Sequence, residues 1–445
     1  MARRDPEIAV IAAVTHDGRG ITEVSGKKVF VAGALAGERV RFLRRKLHRK
    51  YDEAELLEVL DASPSRIEPR CAAFGRCGGC SMQHVSEENQ REIKEQALRD
   101  SLERVGRVSP ARWLPALYVG GEDGSWHYRR RARLAVKDVP GKGRVLVGFR
   151  ERHAPYITDM HRCEVLARPV DSLIDPLSEL VAGLSIRSRL PQIEVAVADN
   201  AVELVFRVLD PPTEDDRRSF AAFARSHGIR VSLQPGGLDS VEPLWPEAPR
   251  EPLYYALDDH RVRVEFRPVD FVQINASINR SMVNAAIEYL EVEPGHRVLD
   301  LFCGIGNFTL PLARRAASVV GVEGEGQQVE RARANAGINR IGNAEFIRAD
   351  LFALSGDEPW LVAGCDRMLL DPARTGAFEV AQLIRVPAPS RIVYVSCHPG
   401  TLARDAGELV HNGGYRLLSA GIIDMFPHTN HVESIAVFEK KKKNK

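Results

Sequence analysis

The stretch "VLDLFCGIGNFTLPLA" (298–313) reads as a β-strand, a glycine turn and the start of a helix, and that reading decides the fold. Its apolar run carries Asp300 to the end of the strand, Gly304 and Gly306 form the turn, and the helix begins near Phe308. Glycine suits such a turn because a ligand can approach the backbone where a Cβ would clash. The same texture continues on both sides from about residue 267. "NASINRSMVNAAIEYLEV" is helical, whereas "RVLDLF", "SVVGVE", "AEFIRAD", "DRMLLD" and "RIVYVSC" are short apolar strands. Strands alternating with helices predict an α/β domain with a parallel sheet. The last two strands, "YRLLSAGIID" and "VESIAVFEK", lie close in sequence and are expected to pair antiparallel.

The glycine turn lacks the third glycine of dinucleotide folds. Glu323 ends the next strand in "VVGVEGE", where a carboxylate accepts both hydroxyls of a ribose. Asp350 ends the third strand in "FIRAD", in position for an adenine edge. An acid at the tip of each of three successive strands suits S-adenosylmethionine better than NAD. The pattern D-x-F-x-G-x-G resembles the first motif of class I (Rossmann-like) methyltransferases.

"MLLDPARTG" (368–376) places Asp371 and Pro372 at the fourth strand tip, and "RIVYVSCHPGTLARD" (391–405) places Cys397 at the fifth. A lone cysteine ending a strand is most simply buried sulfur. On the edge that holds a methyl donor it becomes a candidate nucleophile. C5 of a pyrimidine is a poor nucleophile until a thiolate adds at C6, and the C5 proton must later leave to a base. Glu433 in "HTNHVES" is the candidate general base.

Residues 1–62 read as short strands punctuated by glycines, which fits a small β-barrel of oligonucleotide-binding type. Residues 63–266 read as a β-rich central domain with a helix near 214–227. It includes "SEENQREIKEQALRDSLERVG" (86–106), a helix capped by Ser86, stopped at Gly106 and able to pack on the catalytic domain. The catalytic domain takes 267–440, and the basic residues 441–445 read as a disordered tail. "CAAFGRCGGC" supplies Cys71, Cys77 and Cys80, and Cys163 is the only other cysteine outside the catalytic domain. These four thiolates could hold zinc or an iron–sulfur cluster, and spacing alone does not choose. Cys303 and Cys365 carry no assigned role.

The net charge is only +2, but it is unevenly spread. "RVRFLRRKLHRK" (39–50), with Arg44, Arg45 and Lys46, contains seven Lys/Arg and no acid. "WHYRRRAR" (126–133) sets Arg129, Arg130 and Arg131 beside Trp126 and Tyr128, combining phosphate-binding charge with rings on which bases stack. Nothing resembles a leader or a membrane span, so a cytoplasmic protein without a membrane partner is expected.

"FVQIN", "LDLFCGIGNFTLPLA", "LLDPARTGA", "YVSCHPGTLARD" and "DMFPHTNHVES" resemble the RNA uracil-5 methyltransferases, above all those acting on 23S ribosomal RNA, and the likeness in layout covers the whole chain. The resemblance implies an N-terminal TRAM barrel, a central iron–sulfur domain with a [4Fe–4S] cluster rather than zinc, and a monomer that binds 23S ribosomal RNA. It implies that Gln273, Phe302, Asn307, Glu323, Asp350 and Asp371 contact cofactor or target uracil, and it gives Cys397 and Glu433 the roles derived above. His398 departs from the Asn or Asp usual after the nucleophile, and Asp350 stands where the nearest subtype often has Asn. The same chemistry at another ribosomal or transfer RNA uridine is the rival within the enzyme class. Outside it stands a non-catalytic, metal-stabilised RNA-binding protein assisting ribosome assembly. A cytosine-5 enzyme is disfavoured because residues 371–376 contain no second cysteine.

Overall fold

The computed structural model describes residues 5–15, 18–122, 124–152 and 154–442. Residues 443–445 of the basic tail lie outside the described residues.

The catalytic sheet has eight strands in the order Ala344–Arg348, Ser318–Glu323, Arg297–Leu301, Arg367–Leu370, Arg391–Ser396, Glu433–Lys440, Tyr415–Ile423 and Arg112–Trp113. The first five run parallel, because helical crossovers return each strand to the same edge. Glu433–Lys440 is antiparallel to both neighbours and wedges between Arg391–Ser396 and Tyr415–Ile423. The expected antiparallel pair is therefore present. The strand order reverses between Arg297–Leu301 and Arg367–Leu370, and ligands of open α/β sheets bind at such a switch point.

Both faces of the sheet are covered, which accounts for its nearly unbroken apolar strands. One face packs on the helix Ala276–Leu290 and on the hairpin Leu253–Leu257 with Val262–Phe266. That hairpin alternates like the central strands, yet its buried Leu253, Tyr255, Val264 and Phe266 join the core of the catalytic sheet. The other face packs on Pro399–His411 and on Ala97, Leu98 and Leu102 from the helix beginning at Glu87. Ser86 caps that helix by accepting from the Asn89 amide, but Gly106 does not stop it. Gly106 sits inside a final wide turn, and the left-handed residue that ends it is Arg107. Glycine is needed at 106 for contact: a Cβ there would lie 2.4 Å from the carbonyl oxygen of Ala403.

The central sheet has six strands, in the order Glu242–Trp245, Arg230–Gln234, Val202–Arg207, Gln192–Val197, Arg131–Val139 and Arg144–Gly148, with its own apolar core. The N-terminal sheet also has six strands. Its ends come together through Ala12 N donating to Ile21 O and Thr22 Oγ1 donating to Val10 O, both at 2.8 Å, so it curls into a small barrel around Val29, Val31, Val40 and Phe42. Among the described residues, no helix is long and apolar enough to cross a membrane.

Gly106→Ala should force its helix away from Pro399–His411 at a cost of about 1–3 kcal/mol, since a packed interface yields little to an added methyl. Urea unfolding of the variant would reveal this, and an unchanged midpoint would mean the contact is slack.

Candidate active site

Asp300 occupies the tip of the strand Arg297–Leu301 and is fully buried. Its Oδ2 accepts from Thr309 Oγ1, while Oδ1 is buried without a hydrogen-bond partner. Burial, with the negative charges of Asp371 and Glu323, pushes its carboxyl up to about 7. An orphaned buried acceptor is costly, and a donor on a bound ligand would relieve it. Gly304 and Gly306 hold the turn at φ +55 and +98, and the Gly304 amide donates to Glu323 Oε2 at 3.1 Å. The Glu325 amide donates to Glu323 Oε1 at 3.0 Å, so the backbone orients this carboxylate at the second strand tip. Phe302 adopts φ +66, a strained value for a side chain with a Cβ, of the kind that collects at functional sites. Its ring lies 5.7 Å from that of Phe352, which is 46% exposed. Asp350 is exposed nearby and accepts from the Phe352 amide at 2.9 Å. These groups fit S-adenosylmethionine: a buried acid with one open acceptor before the turn, a ribose-length acid at the second tip, and an aromatic surface at the third.

Asn307 is locked in place by neighbours from elsewhere in the chain. Tyr255 Oη donates to its Oδ1 at 2.9 Å, and Asn279 exchanges two amide hydrogen bonds with it at 3.0 Å each. Gln273 lines the same small cavity as Tyr255 and Asn279.

The reactive groups gather at the next two tips. The Asp371 amide donates to Leu301 O at 3.3 Å, tying the loop to the first strand tip, and burial pushes its carboxyl up to about 7. Cys397 follows the strand Arg391–Ser396, and Glu433 begins the strand inserted beside it. The register pairs Ser396 with Ser434, so one further step sets Cys397 opposite Glu433. Burial and then the charges of Glu433 and Asp371 push the Cys397 thiol up to about 11. Burial, followed by Asp371, pushes Glu433 up to about 8. Arg374 opposes both shifts and lies 3.3 Å from His431 Nδ1.

His398 serves as the N-cap of the helix that follows it. Its Nδ1 accepts from the Thr401 amide at 3.2 Å, capping the helix Pro399–His411 that aims the nucleophile loop.

Cys71, Cys77, Cys80 and Cys163 are free thiols brought together in the apolar core of the central sheet. Burial dominates their chemistry and pushes Cys80 and Cys163 up to about 12, and Cys163 also senses the charges of Cys80 and Cys77. Among the described residues, no three His, Cys, Asp or Glu side chains converge tightly enough to hold a metal ion.

The basic residues divide. Arg45 and Lys46 are exposed and line a cavity of about 870 Å³ with Phe30, Phe74 and Arg152. Arg44 is turned inward instead, where Glu7 and Asp52 hold it at 2.8 and 2.7 Å. Arg131 is likewise internal, donating to the carbonyls of Val195 and Pro268. Arg130 pairs with Asp199 at 2.6 Å. Arg129 lines a second cavity, of about 390 Å³, with Gly78, Phe149, Arg152, Phe426 and His431.

A largely parallel sheet with acids at successive tips and a thiol opposite a carboxylate on the same edge has the layout of a Rossmann-like methyltransferase. A family model described as tRNA (Uracil-5-)-methyltransferase matches residues 252–358 and 361–442, beginning at the hairpin rather than at 267. The chain is 52% identical to the 23S rRNA (uracil(1939)-C(5))-methyltransferase RlmD of Alkalilimnicola ehrlichii, over 98% of this chain and 97% of that one. It is 50% identical to the RlmD of Nitrosococcus oceani over 99% and 98%. The crystal structure of Pyrococcus abyssi tRNA (uracil-54, C5)-methyltransferase in complex with S-adenosyl-L-homocysteine superposes with a TM-score of 0.75, at 25% identity, covering 97% of this chain and 100% of that one. The chain belongs to the RNA (uracil-5-)-methyltransferase family.

Glu433→Gln removes a negative neighbour from Cys397, so the thiol should ionise about one pH unit lower. Iodoacetamide labelling of Cys397, followed by mass spectrometry as pH rises, would then show several-fold faster reaction near pH 9; equal rates would mean that the two side chains do not sense each other.

Proposed function

We propose that this protein transfers a methyl group from S-adenosylmethionine to C5 of a uridine in 23S ribosomal RNA, as the names of its relatives suggest. The observation that carries this reading is the pair Cys397 and Glu433, held opposite each other beside the cofactor edge. The RNA substrate favours a cytoplasmic site of action.

Cys397, as thiolate, adds to C6 of the uracil; the C–S bond forms as the C5–C6 π electrons move toward C4–O. Asp371 is proposed to hold the base, a role supported by the hydrogen bond from its amide to Leu301 O, which ties its loop to the first strand tip. C5, carrying the enolate's electron pair, would bond to the electrophilic methyl group that a bound cofactor supplies, as the methyl–sulfonium bond breaks with its electron pair going to sulfur and a neutral thioether leaves. Glu433 then accepts the C5 proton, the C–S bond breaks, and the ring double bond returns. The raised Glu433 carboxyl makes a better proton acceptor once ionised. Arg374 provides the positive charge that keeps thiolate and carboxylates from excluding one another.

The RNA is proposed to run from the barrel cavity with Arg45 and Lys46, across Arg152, to Arg129 and His431 beside the active site. Arg152 lines both cavities, which supports a continuous path. The four cysteines are proposed to hold a [4Fe–4S] cluster. Supporting this, Cys77 and Cys163 are buried in the central core, Cys71 and Cys80 pack against it, and Cys80 and Cys163 sense the charges of their fellow cysteines, a setting that suits thiolate ligation. Bound there, the cluster is proposed to organise structure, because methyl transfer consumes no electron.

Incubation of labelled S-adenosylmethionine with 23S ribosomal RNA lacking the modification should place label on a single uridine. Cys397→Ala should abolish that labelling, and equal labelling by the variant would overturn the mechanism. Glu433→Gln should slow turnover by about 10²–10⁴-fold and accumulate an RNA adduct that survives denaturation. The wild-type rate should climb steadily between pH 6 and 9, because the Glu433 carboxyl, pushed up to about 8, and the Cys397 thiol, pushed up to about 11, must both ionise. A flat profile between pH 6 and 9 would remove Glu433 from the slow step. Anaerobically purified protein should be brown with about four irons per chain; a colourless zinc protein would exclude the cluster.

A further inference from the structure

The loop 424–432 leads directly into Glu433, and it is held mostly by residues far away in sequence. His428 sits at φ +64, an unfavourable conformation for histidine, and its carbonyl accepts from both the Ser81 and Met82 amides at 2.9 Å. These amides follow Cys80 immediately. Ser81 Oγ accepts from the Asn430 amide at 2.9 Å. Gln90 Oε1 accepts from the His428 amide at 2.8 Å, while Gln90 Nε2 donates to Met82 O and Val85 O. Four residues further along that helix, buried Lys94 donates to Asp424 Oδ1 at 2.6 Å and to Phe426 O at 2.9 Å. Tyr128 Oη donates to Pro427 O at 3.0 Å, and Trp126 stacks on the His428 ring at 3.8 Å.

We propose that the cysteine loop and the helix Glu87–Ser101 form a brace that fixes the position of Glu433, with Ser81, Gln90 and Lys94 as positioning residues. Glu433 can be aimed only if the backbone leading into it is fixed. The long-range polar anchors on that backbone come from residues 81–128, beside a few local hydrogen bonds such as Thr429 N to Phe426 O, and the first of them follows Cys80 directly. The cysteine site therefore acts on proton removal through hydrogen bonds, at a distance from the reacting atoms. Nucleophilic addition depends on a different element, the helix-capped loop after Cys397, and should be spared. A loosened brace thus has a specific signature: methylated RNA stays bound to Cys397 because the C5 proton leaves slowly.

This inference rests on the assignment of Glu433 as the base, so its test has two independent arms. Hydrogen exchange of the full-length, cofactor-replete protein should show the 424–432 amides opening about fivefold faster in Ser81→Ala and Gln90→Leu, as loss of one net hydrogen bond implies, with the strand Arg297–Leu301 unchanged. In turnover, both variants should lower kcat while raising the fraction of denaturation-stable RNA adduct severalfold, with KM for RNA unchanged. Ser81→Ala deletes only a hydroxyl and guards against a folding defect in Gln90→Leu. Unchanged exchange of 424–432 would overturn the brace, as would a fall in kcat without adduct. If Glu433→Gln itself accumulated no adduct, the base assignment would fail, and the exchange arm alone would still decide the brace.

Discussion

The wedging of Glu433–Lys440 between two strands that run the other way is the constraint on which the site depends. Antiparallel pairing brings the beginning of one strand beside the end of its neighbour. A carboxylate that starts the inserted strand is thereby delivered to the tip where Cys397 is presented. Had this strand been parallel, its first residue would lie at the opposite edge, a sheet's width from the cofactor turn. The main-chain ladder thus fixes the acid–thiol relationship to within a side chain's reach, leaving the aim of the carboxylate to the loop that precedes it and the ionisation to electrostatics.

Those electrostatics are crowded. Asp300, Asp371, Glu433 and Cys397 each have ionisation suppressed by burial and, for most of them, by one another. Burial alone would make them poor reagents, and Arg374 is the counterweight. An edge of this kind shares a small number of protons among several groups, so ionisation of one is coupled to protonation of its neighbour. Such coupling suits a reaction in which thiol and carboxyl must each change protonation state during one cycle.

Much of this was legible because strand tips are easy to see. Asp300, Glu323, Asp371 and Cys397 each follow an apolar run, and a parallel sheet brings every such tip to one edge. The hairpin Leu253–Phe266 was not legible as part of the catalytic core, since its alternation suits a central strand equally well and only packing decides its allegiance. Phe352, Tyr255 and Asn279 escaped notice because their importance lies in contacts across the chain rather than in local pattern. Arg44 and Arg131 belong to basic runs, but strand geometry turns each inward to partners that charge counting cannot reveal. The capping role of His398 is not legible either, since a histidine ring nitrogen serves as a helix-capping acceptor only when its rotamer turns it onto the Thr401 amide.

The hydrogen bond between Ser81 and Asn430 spans 349 residues of chain. During synthesis, the barrel and much of the central sheet can fold while the strand beginning at Glu433 does not yet exist. The cofactor turn, the thiol and the cysteine site are likewise all made before the base and its loop. Competence therefore arrives late and at once, when the inserted strand closes the sheet and the oldest and newest parts of the polypeptide meet. A nascent chain that stops short of Glu433 leaves the strands Arg391–Ser396 and Tyr415–Ile423 without the partner that joins them, so the edge that carries Cys397 is completed last.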